Sequence, residues 1–175
     1  MIQLILNQEH FTAVLSEALA SCRHRLFITT ADVKDLHVPL RRGGAARSIV
    51  NVFDDLSNRG IEIRLLHSSV PSGPFLGRLR DHVPALLTMR RCPRVHIKAV
   101  IVDGLRMYLG SANLTGAGLG AKSARRRNFE GGIWTDETNL IDSVLDMIDG
   151  IWQGRQCPDC GRTEHCPVPL EEPDL

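Results

Sequence analysis

The chain has 175 residues, of which 43% are hydrophobic and 23% are charged, and its formal net charge is +1. This length is typical of one domain, and the composition is that of a globular protein, which argues against widespread disorder. No run approaches the ~20 apolar residues that span a bilayer, and the first residues lack the basic flank and cleavage site of a signal peptide. We therefore expect a cytoplasmic protein without stable membrane insertion.

The small net charge hides a strong asymmetry along the chain. Residues 78–127 carry eleven basic residues and two acidic ones, whereas residues 128–175 carry eleven acidic residues and two basic ones. The middle of the chain is therefore predicted to meet an anion. Eighteen of the 21 basic residues are arginine, which suits phosphate recognition, although a GC-rich genome gives the same bias.

Hydrophobic periodicity and turn residues predict alternating helices and strands in the first 69 residues. The predicted elements are a short strand at 4–6, a helix at 8–22, a strand at 25–30, a loop at 35–44, a helix at 45–58 and a strand at 61–66. Residues 70–94 contain four prolines among basic side chains, which predicts an Arg-rich, partly helical excursion.

A hairpin and a final helix complete the predicted fold. The remaining elements are strands at 95–102 and 106–109, joined at Asp103-Gly104, a strand at 129–135 and an amphipathic helix at 137–153. Helices that alternate with strands and are followed by a hairpin predict an α/β fold with a mixed sheet covered by helices.

One motif stands out, with the spacing H-x-K-x4-D-x6-G-S-x-N. Its residues are His96, Lys98, Asp103, Gly110, Ser111 and Asn113. On a strand, the side chains of His96 and Lys98 project from the same face. Taken alone, the pair is also compatible with a strand face that is simply exposed to water. The full spacing, however, resembles the signature of the phospholipase D superfamily, and we identify the chain as similar to that superfamily over residues 1–153, with residues 70–94 outside the resemblance.

The chemistry of phosphodiester cleavage explains the residue types. A neutral His96 can attack phosphorus and form a phosphohistidine, Lys98 can bind the phosphate, and Asn113 can donate a hydrogen bond to it. Ser111 either assists in the same way or shapes the turn. Asp103 is included among the candidate catalytic residues, but its position at a turn favours a role in anchoring the hairpin.

The resemblance also implies a mixed sheet with helices on both faces and a carboxylate that orients the nucleophilic histidine. Glu130, on a later predicted strand, is the candidate for that carboxylate. The reaction needs one histidine to attack and another to protonate the leaving oxygen. Because the chain has a single motif, the resemblance to short single-motif chains implies a homodimer with one composite site and no metal in catalysis.

The acidic tail, residues 154–175, contains a C-x2-C-x4-H-C pattern formed by Cys157, Cys160, His165 and Cys166. The Cys-Pro-x-Cys-Gly part resembles a zinc knuckle and predicts a structural Zn²⁺ site. An iron–sulfur cluster and unliganded thiols remain alternatives. His165 and Cys166 are adjacent and do not easily both reach one ion. One of them is therefore expected to bind the ion together with a cysteine from elsewhere, such as Cys92, Cys22 or one from the other subunit.

The motif does not name the substrate. Basic residues around it predict binding to nucleic acid, namely Arg91, Arg94, Arg125, Arg126 and Arg127. The first hypothesis is a nuclease for DNA or RNA that works in restriction or phage defence, with other proteins of such a system as partners. The alternatives are a phospholipid hydrolase acting on a lipid such as cardiolipin, and a noncatalytic nucleic-acid-binding subunit. The acidic tail is expected either to cover the basic site or to dock a partner.

Overall fold

A computed structural model of the chain describes residues 1–39 and 46–172. The strands are β1 Ile2–Leu6, β2 Arg25–Thr30, β3 His37–Pro39, β4 Ala46–Ser48, β5 Glu62–His67, β6 Leu87–Arg91, β7 Lys98–Val102, β8 Arg106–Gly110 and β9 Gly131–Thr135. The helices are α1, which is π-helical over Phe11–Ala18 and α-helical over Leu19–Ser21, then α2 Ile49–Asn58, α3 Gly73–Asp81, the short 3-10 helix Ala124–Arg126, and α4 Thr138–Trp152.

Seven strands form one mixed sheet in the order β1-β9-β8-β7-β2-β5-β6. Strands β2, β5 and β6 are parallel to one another, and the other pairings are antiparallel. Helices α2 and α3 connect the parallel strands, as crossovers between parallel strands require. This confirms the predicted mixed α/β sheet.

Side-chain alternation along the central strand β2 divides the core into two layers. Leu26 and Ile28 pack in the cluster that contains the apolar faces of α1, α2 and α3. Phe27 points the other way and meets Trp152 of α4 edge-on at a centroid distance of 5.4 Å. Helices therefore cover both faces of the sheet, as predicted, and within the described residues no helix is long and apolar enough to cross a membrane.

Residues 87–91 form strand β6, which the sequence analysis missed inside its Arg-rich excursion. Their polar composition reads as a loop, but β6 lies at the edge of the sheet and pairs only with β5. An edge strand tolerates charged side chains because part of it faces water. The excursion is therefore a helix, α3, followed by an edge strand.

The strand predicted at 95–102 begins only at Lys98, so the prediction that His96 lies in a strand was wrong. The amide of Val95 donates to the carbonyl of Cys92 at 2.9 Å, which turns the chain before β7. The partner strand β8 extends one residue beyond the predicted 106–109 and ends at Gly110, because the Ser111 amide donates to the Gly131 carbonyl and not to β7. Helix α2 begins at Ile49 behind the N-cap Ser48, and residues 40–45 of the predicted loop and helix start lie outside the described residues.

Candidate active site

Five of the six motif residues, all but Asp103, lie at one end of the strands, where β2 ends and β7 begins. Lys98 pairs with Gly110 of β8, and Gly110 in turn pairs with Gly132 of β9. On the other side of β7, Ala99 pairs with Thr29, so the last residue of β2 lies beside the Lys98 end. The fold thus brings the two halves of the motif, residues 96–98 and 110–113, to a single place.

Lys98 is buried beside an exposed His96. Its Nζ donates to the His96 carbonyl at 2.6 Å and lies 3.2 Å from Nδ1 and 3.3 Å from Nε2 of the imidazole. Burial lowers the pKa of Lys98 below its ordinary value, and the negative charge of Glu130 partly opposes this. An ammonium held in a poorly hydrated place next to an accessible imidazole is suited to attract a phosphate to that imidazole.

Glu130 is fixed by neighbours on both sides of its carboxylate. Ser111 Oγ donates to one oxygen, and Asn128 Nδ2 donates to the other at 3.0 Å. The Glu130 amide donates to Asn7 Oδ1 at 3.1 Å, which ties it to the end of β1. Within the described residues Glu130 accepts no hydrogen bond from His96, so its place in the site comes from Ser111 and from its charge near Lys98.

The oxygen and the nitrogen of the Asn113 side-chain amide have different surroundings. Its Oδ1 accepts hydrogen bonds from Thr30 Oγ1 at 3.2 Å and from the amides of Ala31 and Asp32 at 3.1 and 3.2 Å. The side-chain carbonyl therefore caps the end of β2 and fixes the orientation of the amide. No described residue accepts a hydrogen bond from its Nδ2, which leaves a fixed neutral donor for a ligand.

Gly110 is required for close packing rather than for flexibility. A Cβ at this position would lie 2.4 Å from Tyr108 Oη and 2.6 Å from the Gly131 carbonyl oxygen. The same hydroxyl accepts a hydrogen bond from the Ala112 amide at 3.0 Å, and burial raises the pKa of Tyr108 to about 12. The tyrosine therefore stays neutral and holds the turn that carries Ser111 and Asn113.

Asp103 lies at the far end of β7, on the turn to β8, where its φ is 56°. Its carboxylate accepts hydrogen bonds from three consecutive backbone amides at 2.7 to 2.9 Å, those of Arg23, His24 and Arg25, and from the Cys22 thiol. Burial alone would raise the pKa of Asp103, but these amides outweigh it and lower that pKa. Asp103 lies five residues beyond Lys98, about 16 Å along an extended strand, so its position is that of an anchor.

The five arginines proposed for substrate binding fall into separate environments. Arg125 and Arg126 are exposed on the short 3-10 helix, and Arg127 follows at its end, close in the chain to Glu130. Arg94 is exposed and donates to Cys160 Sγ at 3.6 Å. Arg91 is occupied, as described next.

Arg91 is bound to the acidic tail. Its guanidinium pairs with the Glu171 carboxylate and donates to the Ser68 carbonyl at 3.0 Å, while its amide donates to the Glu171 carbonyl. Arg91 and Glu171 line a cavity of about 500 Å³ with His67 and Arg80. The tail therefore covers part of the basic surface at the same end of the strands as Lys98.

The predicted tail ligands are only partly brought together. Cys157, Cys160 and Cys166 line one small cavity, whereas the exposed His165 ring lies 3.2 Å from Glu164 and is not part of that lining. As the side chains stand, no three His, Cys, Asp or Glu residues in the described part of the chain are arranged to hold a metal ion. Cys92 lines the same cavity, and the sequence analysis named it only as one alternative.

Several supporting residues were not singled out from the sequence. Asn128 holds Glu130, Thr30 contacts Asn113, and Tyr108 holds the motif turn. Asn128 had a signal, because it precedes Glu130 by two residues and so shares its side of an extended segment. Thr30 and Tyr108 had none, because their contacts depend on neighbouring strands.

The other histidines lie in settings unlike that of His96. His10 and His67 are buried, each with Nδ1 at 2.9 Å from a backbone carbonyl and with Nε2 lacking a partner among the described residues. Burial lowers the pKa of His67, which favours the neutral ring. His82 pairs with Asp54 on the surface, and none of the three is bonded to Lys98.

Comparison with protein families identifies one family that matches most of the chain. The model described as "Cardiolipin synthase, PLD-like domain" matches residues 15–152, well over half of the chain. The chain belongs to this phospholipase D-like family. Membership supports phosphodiester chemistry at the level of the superfamily. A comparison with curated proteins finds no match.

Solved structures share the fold of this phospholipase D-like chain. NucT from Helicobacter pylori is 17% identical with a TM-score of 0.64, and the match covers 87% of this chain and 97% of NucT. The phospholipase D family member Nuc from Salmonella typhimurium is 15% identical with a TM-score of 0.63, over 87% and 94% of the two chains. TrmBL2, an archaeal chromatin protein, is 12% identical with a TM-score of 0.55, over 87% of this chain and 52% of its own.

Proposed function

We propose that the protein is a nuclease that cleaves DNA or RNA through a phosphohistidine on His96. The observation that carries the proposal is the buried Lys98 amine, 3.2 to 3.3 Å from both nitrogens of an exposed imidazole. A phosphate drawn to Lys98 meets that imidazole, and a neutral imidazole is a competent nucleophile. Phosphodiester cleavage in this mechanism needs no metal.

The reaction proceeds in two displacements. A nitrogen of His96 forms a bond to phosphorus while the bond from phosphorus to the leaving oxygen breaks, and a second histidine donates its proton to that oxygen. Water then attacks phosphorus and passes a proton back to the second histidine as the phosphorus–nitrogen bond breaks. Lys98 and the Nδ2 of Asn113 balance the charge on the phosphate oxygens in both steps.

The second histidine is proposed to be His96 of the partner subunit in a homodimer. The motif occurs once, and His10, His67 and His82 form no hydrogen bond with Lys98. Apolar side chains are exposed beside the site: Phe129, next to Glu130, is 96% exposed, and Leu6, next to Asn7, is 47% exposed. Burying these side chains in a symmetric interface would favour dimerisation and bring the two sites together.

Nucleic acid is the proposed substrate because of the basic side chains that remain free to meet it. Arg125 and Arg126 are exposed and form no ion pair with a described residue, and Arg127 continues the run. A run of three arginines that ends three residues before Glu130 suits a polyanionic strand better than a single headgroup. A role in restriction or phage defence, with its partner proteins, stays a prediction.

The description of the matching family model favours phospholipid hydrolysis as a second candidate. Val83 and Leu86 expose 43% and 39% of their surface and are the modest apolar patch expected to meet lipid. A noncatalytic nucleic-acid-binding role is the third candidate, and the intact His96–Lys98 pair weighs against it.

The test incubates the pure protein with single- and double-stranded DNA, RNA and anionic liposomes, beside His96→Ala and the matched control His24→Ala, whose side chain is exposed. We expect cleavage of nucleic acid by the wild type and His24→Ala, and a loss of at least about 10⁴-fold for His96→Ala. Cleavage of lipid alone would overturn the nuclease proposal. Nucleic-acid binding without cleavage, unchanged in His96→Ala, would favour the third candidate.

A mixing experiment tests the shared site. Wild type and His96→Ala are mixed in varying ratio and allowed to exchange subunits. If each site needs both histidines, activity falls with the square of the wild-type fraction. A linear decrease, or activity in a species that sediments as a monomer, would contradict the composite site.

A further inference from the structure

Four of the five cysteines line one small cavity. Cys92 comes from the connection between β6 and β7, and Cys157, Cys160 and Cys166 come from the tail. The cavity is about 40 Å³, which has room for one ion or a few water molecules. The fifth cysteine, Cys22, is buried elsewhere and donates to Asp103.

The backbone around these thiols is turned as metal-binding loops are. The Cys160 amide donates to the Cys157 carbonyl at 3.2 Å, so the C-x2-C pair forms a tight turn. The Val95 amide closes a similar turn on Cys92 at 2.9 Å. Tight turns of this kind direct neighbouring thiols to one side, which is the arrangement of structural zinc sites.

The charges around the cavity also fit a thiolate cluster. Arg94 donates to the Cys160 sulfur at 3.6 Å, and Arg162 lines the same cavity. Two guanidinium groups beside a cluster of thiols favour the thiolate form, which is the form that binds a metal ion.

We propose that Cys92, Cys157, Cys160 and Cys166 bind one Zn²⁺ ion through four sulfur ligands. Four thiolates and Zn²⁺ leave a net charge of −2, and the Arg94 and Arg162 guanidinium groups next to the cavity offset it. Because no three ligands are yet arranged around one point, the thiol side chains rotate towards the cavity centre as the ion binds. His165, exposed and paired with Glu164, is not a ligand.

This site links the tail to the chain segment that carries the proposed nucleophile. Cys92 precedes His96 by four residues and is held by its amide, which donates to the His67 carbonyl at 2.8 Å. The zinc is therefore structural, and it restrains the segment on which His96 lies. Metal binding itself does not depend on the proposed nuclease activity.

The test measures zinc bound to the full chain purified under reducing conditions. We expect one zinc per chain in the wild type and in His165→Ala, and at least a tenfold weaker affinity in Cys92→Ser and Cys166→Ser. X-ray absorption of the wild-type zinc complex should show a sulfur shell at about 2.3 Å and no nitrogen shell. That measurement uses the wild type and so does not depend on how the variants fold.

Three outcomes would overturn the proposal. The first is a wild type that binds no zinc after reconstitution, or whose cysteines form disulfides instead. The second is iron in place of zinc after anaerobic purification. The third is zinc loss in His165→Ala with full retention in Cys92→Ser. A chain that binds zinc through four sulfurs but cleaves nothing would leave the metal site standing and refute only the nuclease proposal.

Discussion

The two ends of strand β7 carry polar residues of the same motif, but these residues differ in how far their hydrogen-bonding groups are satisfied within the protein. At the Lys98 end, the amine approaches an exposed imidazole, and the Asn113 Nδ2 has no acceptor among the described residues. At the Asp103 end, three backbone amides and a thiol donate hydrogen bonds to the carboxylate. The donors at the Lys98 end are available to a ligand. The Asp103 carboxylate is fully hydrogen-bonded within the protein, as expected for a residue that anchors the fold.

The variant Lys98→Met tests this comparison with the largest expected effect. We expect activity to fall by about 100- to 1,000-fold, because a donor aimed at the phosphate is removed. The free energy of unfolding should stay the same or rise, since burying the amine lowers its pKa and so costs stability. Steady-state kinetics and urea unfolding measure the two effects, and a marked loss of stability with full activity would reverse the assignment of the two ends.

The complementary change is Asp103→Asn at the anchoring end. We expect a loss of about 1 to 3 kcal/mol in the free energy of unfolding, because an amide replaces the carboxylate that accepts the backbone donors. Turnover per folded molecule should remain close to that of the wild type. Loss of turnover in a fully folded variant would place Asp103 in the chemistry.

Acid titration sharpens the same comparison. The pKa of Asp103 is lowered in the folded state, so its stabilisation is complete above the unfolded value of about 3.9 and is lost as the pH falls through the folded value. The stability difference between the wild type and Asp103→Asn should thus be constant above about pH 5 and shrink below about pH 4. A difference that grows on acidification would show that the amides do not favour the charged form.

The smallest expected effect concerns the exposed arginines of the short 3-10 helix. Arg125→Gln with Arg126→Gln should weaken nucleic-acid binding severalfold and reduce the salt dependence of affinity by about one to two units of slope, without changing stability. Arg91→Gln is the contrasting variant, because Arg91 is paired with Glu171 and should affect mainly the attachment of the tail. Equal losses of affinity from both changes would contradict this division.

The sequence analysis anticipated the grouping of residues at the Lys98 end of β7 better than their surroundings. The fixed spacing singled out His96, Lys98 and Asn113, which the structure brings to one place, and the apolar, β-branched and aromatic content predicted the central strands. Strand β6 was missed because an edge strand need not be apolar. The occupied state of Arg91 and the approach of Cys92 to the tail arise from tertiary contacts between distant segments, which no local pattern records.

The close packing of Gly110 extends to its partner Gly132 on the neighbouring strand. A Cβ on Gly132 would lie 2.4 Å from Tyr108 Cε2, just as one on Gly110 would lie 2.4 Å from the tyrosine hydroxyl. The two glycines form a trough that the aromatic ring fills, so positions 108, 110 and 132 are energetically coupled. A smaller side chain at position 108 would relieve only part of this crowding, because a Cβ on Gly110 would also lie 2.6 Å from the Gly131 carbonyl oxygen and one on Gly132 would lie 2.9 Å from the Leu109 carbonyl oxygen. Both positions therefore require glycine for backbone approach as well as for the aromatic ring.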